Sequence, residues 1–231
     1  EIAGVFDRWN GGILGGYLVS IVPPVLTMKD GSGLLVDSIL DRAFQKGTGK
    51  DASIAALGLG VPVPAMDEAV SERFISAMIE ERRRCAGIFP AGKAFTGDGT
   101  ALAADLEDAL YCAIAIAHGQ GFSLVRKASL EYGWGLDRCT IARVWRGGCI
   151  IQSKMIDDIE ALFRIRPDAG SILMEEPLAG AMREKQAGWR RAVSSAVLHG
   201  VPAPVLASTL AYFDSYRSER LPANLLQAMR D

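Results

Sequence analysis

Apolar residues recur along this chain at intervals of three and four, and no alternating run of four or more β-branched residues is bounded by turns. The pattern predicts helices and no sheet. A short helix is expected over Ile2–Trp9, stopped by Asn10-Gly11-Gly12, and a second over Leu14–Met28, interrupted by Pro23-Pro24. Leu34–Phe44 follows the turn cluster Asp30-Gly31-Ser32-Gly33, and Ser53–Leu59 ends at Gly60 ahead of Pro62. Met66–Cys85 reads as one long amphipathic helix with Arg82-Arg83-Arg84 in its last turn, where positive charge suits the helix dipole. Gly87–Gly99, holding Pro90, Gly92 and Gly97, reads as a loop.

The longest predicted helix is Ala101–Tyr132. Leu106, Leu110, Ala113, Ala117 and Leu124 share one face, and Ile114, Ala115 and Ile116 add apolar surface on the others. A helix apolar nearly all round belongs at the centre of a core. Further helices are expected at Asp137–Trp145, Ile150–Phe163, Gly188–Leu198, Ala203–Tyr216 and Ala223–Met229. The expectation is a single all-α domain over residues 1–231, with about ten helices around one long central helix.

Composition narrows the classes of function. At 231 residues, 49% hydrophobic and 23% charged, the chain is long and apolar enough for a sizeable core. Its formal net charge of −2 lacks the basic footprint of a nucleic-acid binder. The most apolar run, Ile13–Leu26, is too short to span a bilayer and is broken by glycines and prolines. The start Glu1-Ile2-Ala3 has no basic n-region, so no secretory signal is expected. The four cysteines, Cys85, Cys112, Cys139 and Cys149, are scattered without metal-ligand spacing, which argues against zinc and points to reduced thiols and the cytoplasm.

Few residues suggest chemistry by themselves. The chain contains no G-x-G-x-x-G, G-x-S-x-G or H-E-x-x-H signature. Of two histidines, His118 falls inside the central helix and reads as a core residue, while His199 reads as a helix-terminal one. The sharpest feature is Gln45-Lys46-Gly47-Thr48-Gly49-Lys50. Glycines let backbone N–H groups approach a ligand, and the lysines supply point charges suited to phosphate. Phe44 and Asp51 stand where a P-loop needs Gly and Ser or Thr, so that motif fails. Spacing leaves two readings open, an anion-binding turn and a solvated, helix-breaking loop. Arg73, in the first half of the Met66–Cys85 helix, is a second candidate. Gly147-Gly148 reads as a tight turn between helices, and Tyr212, Phe213 and Tyr216 as core or subunit contact.

Several runs in order resemble one family. They include Asp41-Arg42-Ala43-Phe44-Gln45-Lys46-Gly47-Thr48-Gly49-Lys50, Gln120-Gly121-Phe122, Glu131-Tyr132-Gly133-Trp134, Trp145-Arg146-Gly147-Gly148-Cys149-Ile150-Ile151, Trp189-Arg190-Arg191-Ala192-Val193, Tyr212-Phe213-Asp214-Ser215-Tyr216-Arg217 and Arg220-Leu221-Pro222-Ala223-Asn224. Together they resemble the C-terminal all-α domain of decarboxylating 6-phosphogluconate dehydrogenase over essentially the whole chain. The resemblance implies a cytosolic homodimer of the pentose phosphate pathway. Such an enzyme oxidises 6-phosphogluconate with NADP, or NAD in some members, and releases CO2 and ribulose 5-phosphate without a metal. It also implies that Lys46 and Arg73 bind the substrate phosphate, and that Arg230 reaches the phosphate held by the partner subunit.

The same resemblance places the nucleotide-binding domain, with the catalytic lysine and glutamate, before Glu1, and a tail histidine after Asp231. This chain then holds no catalytic residue, and alone it is expected to be inactive. Asp51 stands where the family usually has Trp, and Gln152 where it commonly has Arg. An acid beside a phosphate loop would repel the ligand if it pointed inward; the expected role is instead a cap for a helix starting near Ala52-Ser53. The alternative from another class is a stand-alone helical dimerisation module with no ligand role. A related 3-hydroxyacid dehydrogenase fits less well, because those enzymes lack the Lys46–Lys50 loop.

Overall fold

The computed structural model describes residues 1–31, 33–44 and 46–230; Ser32, Gln45 of the glycine-lysine loop and Asp231 at the tail lie outside them. Among the described residues there are twelve α-helices, one short 3-10 helix and no strand, only two isolated bridges. In order the helices are α1 (Ile2–Gly11), α2 (Tyr17–Thr27), α3 (Leu35–Ser38), α4 (Thr48–Leu59), α5 (Pro64–Ala77), α6 (Ile79–Ile88) and α7 (Gly99–Tyr132). There follow α8 (Arg138–Gly148), α9 (Lys154–Ile165), the 3-10 turn Ile172–Met174, α10 (Leu178–Leu198), α11 (Pro204–Tyr216) and α12 (Ala223–Ala228). No described helix is long and apolar enough to cross a membrane.

Helix α7 is the axis, 34 residues long and so about 51 Å at 1.5 Å per residue. The Asp98 carboxylate caps its start by accepting from the Thr100 and Ala101 N–H groups, and Gly133, at φ 67°, ends it. Ala109, Cys112, Ala115 and Ile116 are fully buried along its middle. Small residues there let α10 approach closely: a Cβ added at Gly188 would stand 2.5 Å from Asp108 Oδ2 and 2.9 Å from Asp108 Cβ. Ion pairs flank that contact, Lys185 to Asp108 at 2.9 Å and Arg191 to Asp105 at 2.6 Å. Trp189 of α10 is fully buried, and its indole N–H donates to the Leu206 carbonyl of α11 at 3.2 Å.

Helices α8 and α9 pair beside this axis, with the rings of Trp145, Phe122 and Phe163 in contact between them and α7. Glu160 of α9 is buried and faces three guanidinium groups, those of Arg143, Arg146 and Arg164. Helices α1 and α2 join through Gly15-Gly16, where the chain crosses residues 152–154; a Cβ on Gly16 would meet the Gln152 carbonyl oxygen at 2.8 Å. Gln152 uses that carbonyl to accept the Tyr17 N–H at 3.1 Å.

Several elements depart from the sequence pattern. Pro23-Pro24 do not break α2, where the Thr27 hydroxyl and Met28 N–H donate to the two proline carbonyls. Leu34–Phe44 forms a helix only over Leu35–Ser38, because the backbone at 43–44 bonds to side chains of α5 instead of to its own turn. The expected Met66–Cys85 helix is two helices, broken at Met78 (φ −84°, ψ 49°), and the Ser76 carbonyl near the break accepts from Arg82 at 3.1 Å. Helix α10 starts ten residues earlier than expected, with Leu178 and Met182 buried one turn apart ahead of a polar stretch. Gly147 and Gly148 are the last residues of α8 rather than a tight turn, and a Cβ on either would meet nothing within 4 Å.

Candidate functional site

The Lys46 loop lies along one face of α5. Ser76 accepts the Ala43 N–H at 3.0 Å and donates to the Arg73 carbonyl at 2.8 Å. One turn earlier on the helix, an Arg73 guanidinium N–H donates to the Phe44 carbonyl at 2.6 Å. A further turn back, a Cβ on Gly49 would press on Val70 Cγ2 at 3.0 Å. Val70, Arg73 and Ser76 follow i, i+3, i+6 spacing and so share a face. Ala43, Phe44 and Gly49 meet that face in the opposite order. Lys46 is two residues beyond Phe44, so its Cα lies within about 7.6 Å of the residue whose carbonyl Arg73 holds. Lys46 and Arg73 are both exposed.

Helix α4 opens directly from this loop, at Thr48 rather than near Ser53. Gly47 is its N-cap at φ 105°, a backbone region that favours glycine. No side chain caps this end. The first helical N–H bonded back to the cap is that of Asp51, to the Gly47 carbonyl at 2.9 Å. The N–H groups of the opening turn therefore face outward beside Lys46 and Lys50, an arrangement suited to an anion. The expectation that Asp51 caps the helix is overturned. It lies inside the first turn, where its charge still suits the dipole.

The third candidate comes from the last turn of the chain. Arg230 lies in the turn after α12, its backbone N–H bonded to the Gln227 carbonyl at 3.0 Å. Every described residue of α12 and that turn is exposed. The hydrogen bonds that tie Arg73 to the Lys46 loop have no counterpart reaching Arg230 among the described residues.

The histidines hold the places expected of them. His118 is nine-tenths buried against an apolar cavity lined by Leu14, Val19, Ile114 and Ile151, and burial pushes its pKa down to about 4. His199 closes α10, with Nδ1 2.8 Å from the Ser195 carbonyl oxygen. The Cys112 thiol is pushed up to about 12 by burial and by the nearby Asp108 carboxylate, so it is no nucleophile. Phe213 packs against Trp189, while Asp214 pairs with Arg190 and Arg217. Two polar partnerships escaped the sequence reading. Ser76 pins the loop, and the fully buried Gln120 accepts the Ala65 N–H at 3.1 Å, fixing the start of the helix that carries Arg73. Only the polarity of Gln120 amid an apolar run hinted at the second.

The fold and this face define an all-helical domain with a glycine-broken cationic loop laid against a helix. The family model described as 6-phosphogluconate dehydrogenase, C-terminal domain, matches residues 1–231, and the chain belongs to that family. It is 45% identical over 235 residues to 6-phosphogluconate dehydrogenase, decarboxylating 2, of Saccharomyces cerevisiae, covering 100% of this chain and 48% of that protein. The enzyme of Schizosaccharomyces pombe is 46% identical over 233 residues (100% and 47%), and that of Lactococcus lactis subsp. lactis 42% over 235 (100% and 50%). The chain thus spans about half the length of these relatives. Plasmodium falciparum 6-phosphogluconate dehydrogenase, solved apo, with its cofactor NADP+ and with its substrate 6-phosphogluconate, superposes with a TM-score of 0.95. It is 35% identical and is matched over 99% of this chain and 50% of its own.

Proposed function

We propose that this chain is the substrate-binding and dimerisation domain of a 6-phosphogluconate dehydrogenase, the enzyme that converts 6-phosphogluconate and NADP to ribulose 5-phosphate, CO2 and NADPH in the cytoplasm. The observation that carries the reading is the register of the Lys46 loop on α5, which sets Lys46, the opening N–H groups of α4 and Arg73 beside one another. In this reading Lys46 and Arg73 hold the phosphate ester, and Arg230 reaches the phosphate bound by a second copy. Each charge-assisted hydrogen bond contributes about 1.5–3 kcal/mol. A phosphate anchored far from the reacting carbon fixes the sugar chain's position and supplies binding energy for orientation there.

The chain's own residues bind and orient; none is assigned a proton or hydride transfer. NADP needs a strand-to-helix glycine turn, and the described residues contain no strand, so these residues do not fit it. The chain alone is therefore expected to bind the sugar phosphate without reducing NADP.

Thermal unfolding with and without 6-phosphogluconate tests the reading. At a hundredfold excess over Kd the ligand adds about 2.7 kcal/mol of stability. The melting temperature is expected to rise, and Lys46→Ala to remove the rise. A shift that survives Lys46→Ala rejects the assigned site; no shift in the wild type leaves the dimerisation module as the better reading.

A further inference from the structure

The anion-binding turn contains an acid. Asp51 lies in the first turn of α4, and a Cβ added at Gly47 would stand 3.8 Å from its Oδ2 atom. Its carboxylate is thus folded back over the loop instead of along the helix. No hydrogen bond or ion pair engages that carboxylate among the described residues. The side chain is exposed and lies next to the N–H groups that would face a phosphate.

We propose that Asp51 limits how tightly this loop holds a phosphate ester, making it an affinity-setting residue of the substrate site. The inference rests on the phosphate reading of Lys46 and Arg73. A fixed negative charge beside the turn offsets part of the field that the helix terminus and the lysines create. The penalty scales with ligand charge, so a phosphate dianion is weakened about twice as strongly as a monoanion. Salt screens an exposed pair of charges, so the penalty shrinks as ionic strength rises. A carboxylate here weakens the hold on a sugar phosphate gripped by several cations.

The test is titration calorimetry of the wild type, Asp51→Asn and Lys46→Ala with 6-phosphogluconate and with gluconate, which lacks the phosphate. Asp51→Asn keeps the side chain's size and removes its charge. The variant is expected to bind 6-phosphogluconate about tenfold tighter at low salt, a gain that falls to about twofold near 0.5 M salt. Gluconate affinity stays within about twofold. The unliganded variant melts slightly lower, by about 1–3 °C, since an acid favourable to the helix dipole is lost. Higher affinity with lower stability excludes a general improvement in folding. Unchanged or weaker 6-phosphogluconate binding, or an equal gain for gluconate, overturns the proposal while Lys46-dependent binding leaves the site reading intact. Binding indifferent to Lys46→Ala overturns both.

Discussion

His118 is the side chain whose environment most changes its chemistry. Burial without a compensating charge holds its pKa near 4, against 6.5 for the free ring. The unfolded chain therefore takes up a proton before the folded one does. Stability is complete above pH 6.5 and falls as the pH drops from 6.5 towards 4, by about 3 kcal/mol in total. His118→Leu removes the titrating group, and denaturant unfolding across that window is expected to show a flatter pH dependence. The same slope in the variant would place the titration elsewhere. At this scale much was legible. A lone histidine in an apolar helix reads as core, and it is core. Lys46 and Arg73 stood out by charge and spacing. The partners of buried polar groups were not legible, because the Gln120 carbonyl oxygen meets the Ala65 N–H, and Glu160 meets Arg146, across stretches of chain that only packing brings together.

Between elements, the tightest joint is α7 against α10. Gly188 has space for hydrogen only, with the Asp108 side chain in the way of any Cβ. Gly188→Ala must displace Asp108 and disturb its pair with Lys185. The expected cost is about 1–3 kcal/mol, read as a lower denaturant midpoint with an unchanged slope. A midpoint equal to the wild type's would show that the joint yields freely. Periodicity found the long axis and most of its neighbours, since those helices bury continuous apolar faces. It failed where bonding is not periodic. The segment 39–44 follows side chains of α5 in place of its own helical turns, and Arg82 supports a break at Met78 that no glycine or proline announces. The glycines at 47 and 49 argue against helix and delay the predicted start of α4, whereas Gly47 is the residue that lets the turn begin.

Across the whole molecule, the segment from α3 to α6 buries little of itself. Among its helices only Ala56 and Ala65 are buried, while Phe74, Ile75, Met78, Ile88 and Phe89 are exposed. Apolar surface of this kind marks a contact, in keeping with a chain that spans half of its relatives and with the proposed homodimer. The candidate phosphate face lies on the same segment, and in the proposed reading Arg230 comes to it from a second copy. Preference for 6-phosphogluconate over gluconate, measured by calorimetry in wild type, Lys46→Ala and Arg73→Ala, tests the shared phosphate site most directly. Each substitution is predicted to lower that preference about ten- to a hundredfold. A preference unchanged by both substitutions would contradict the account.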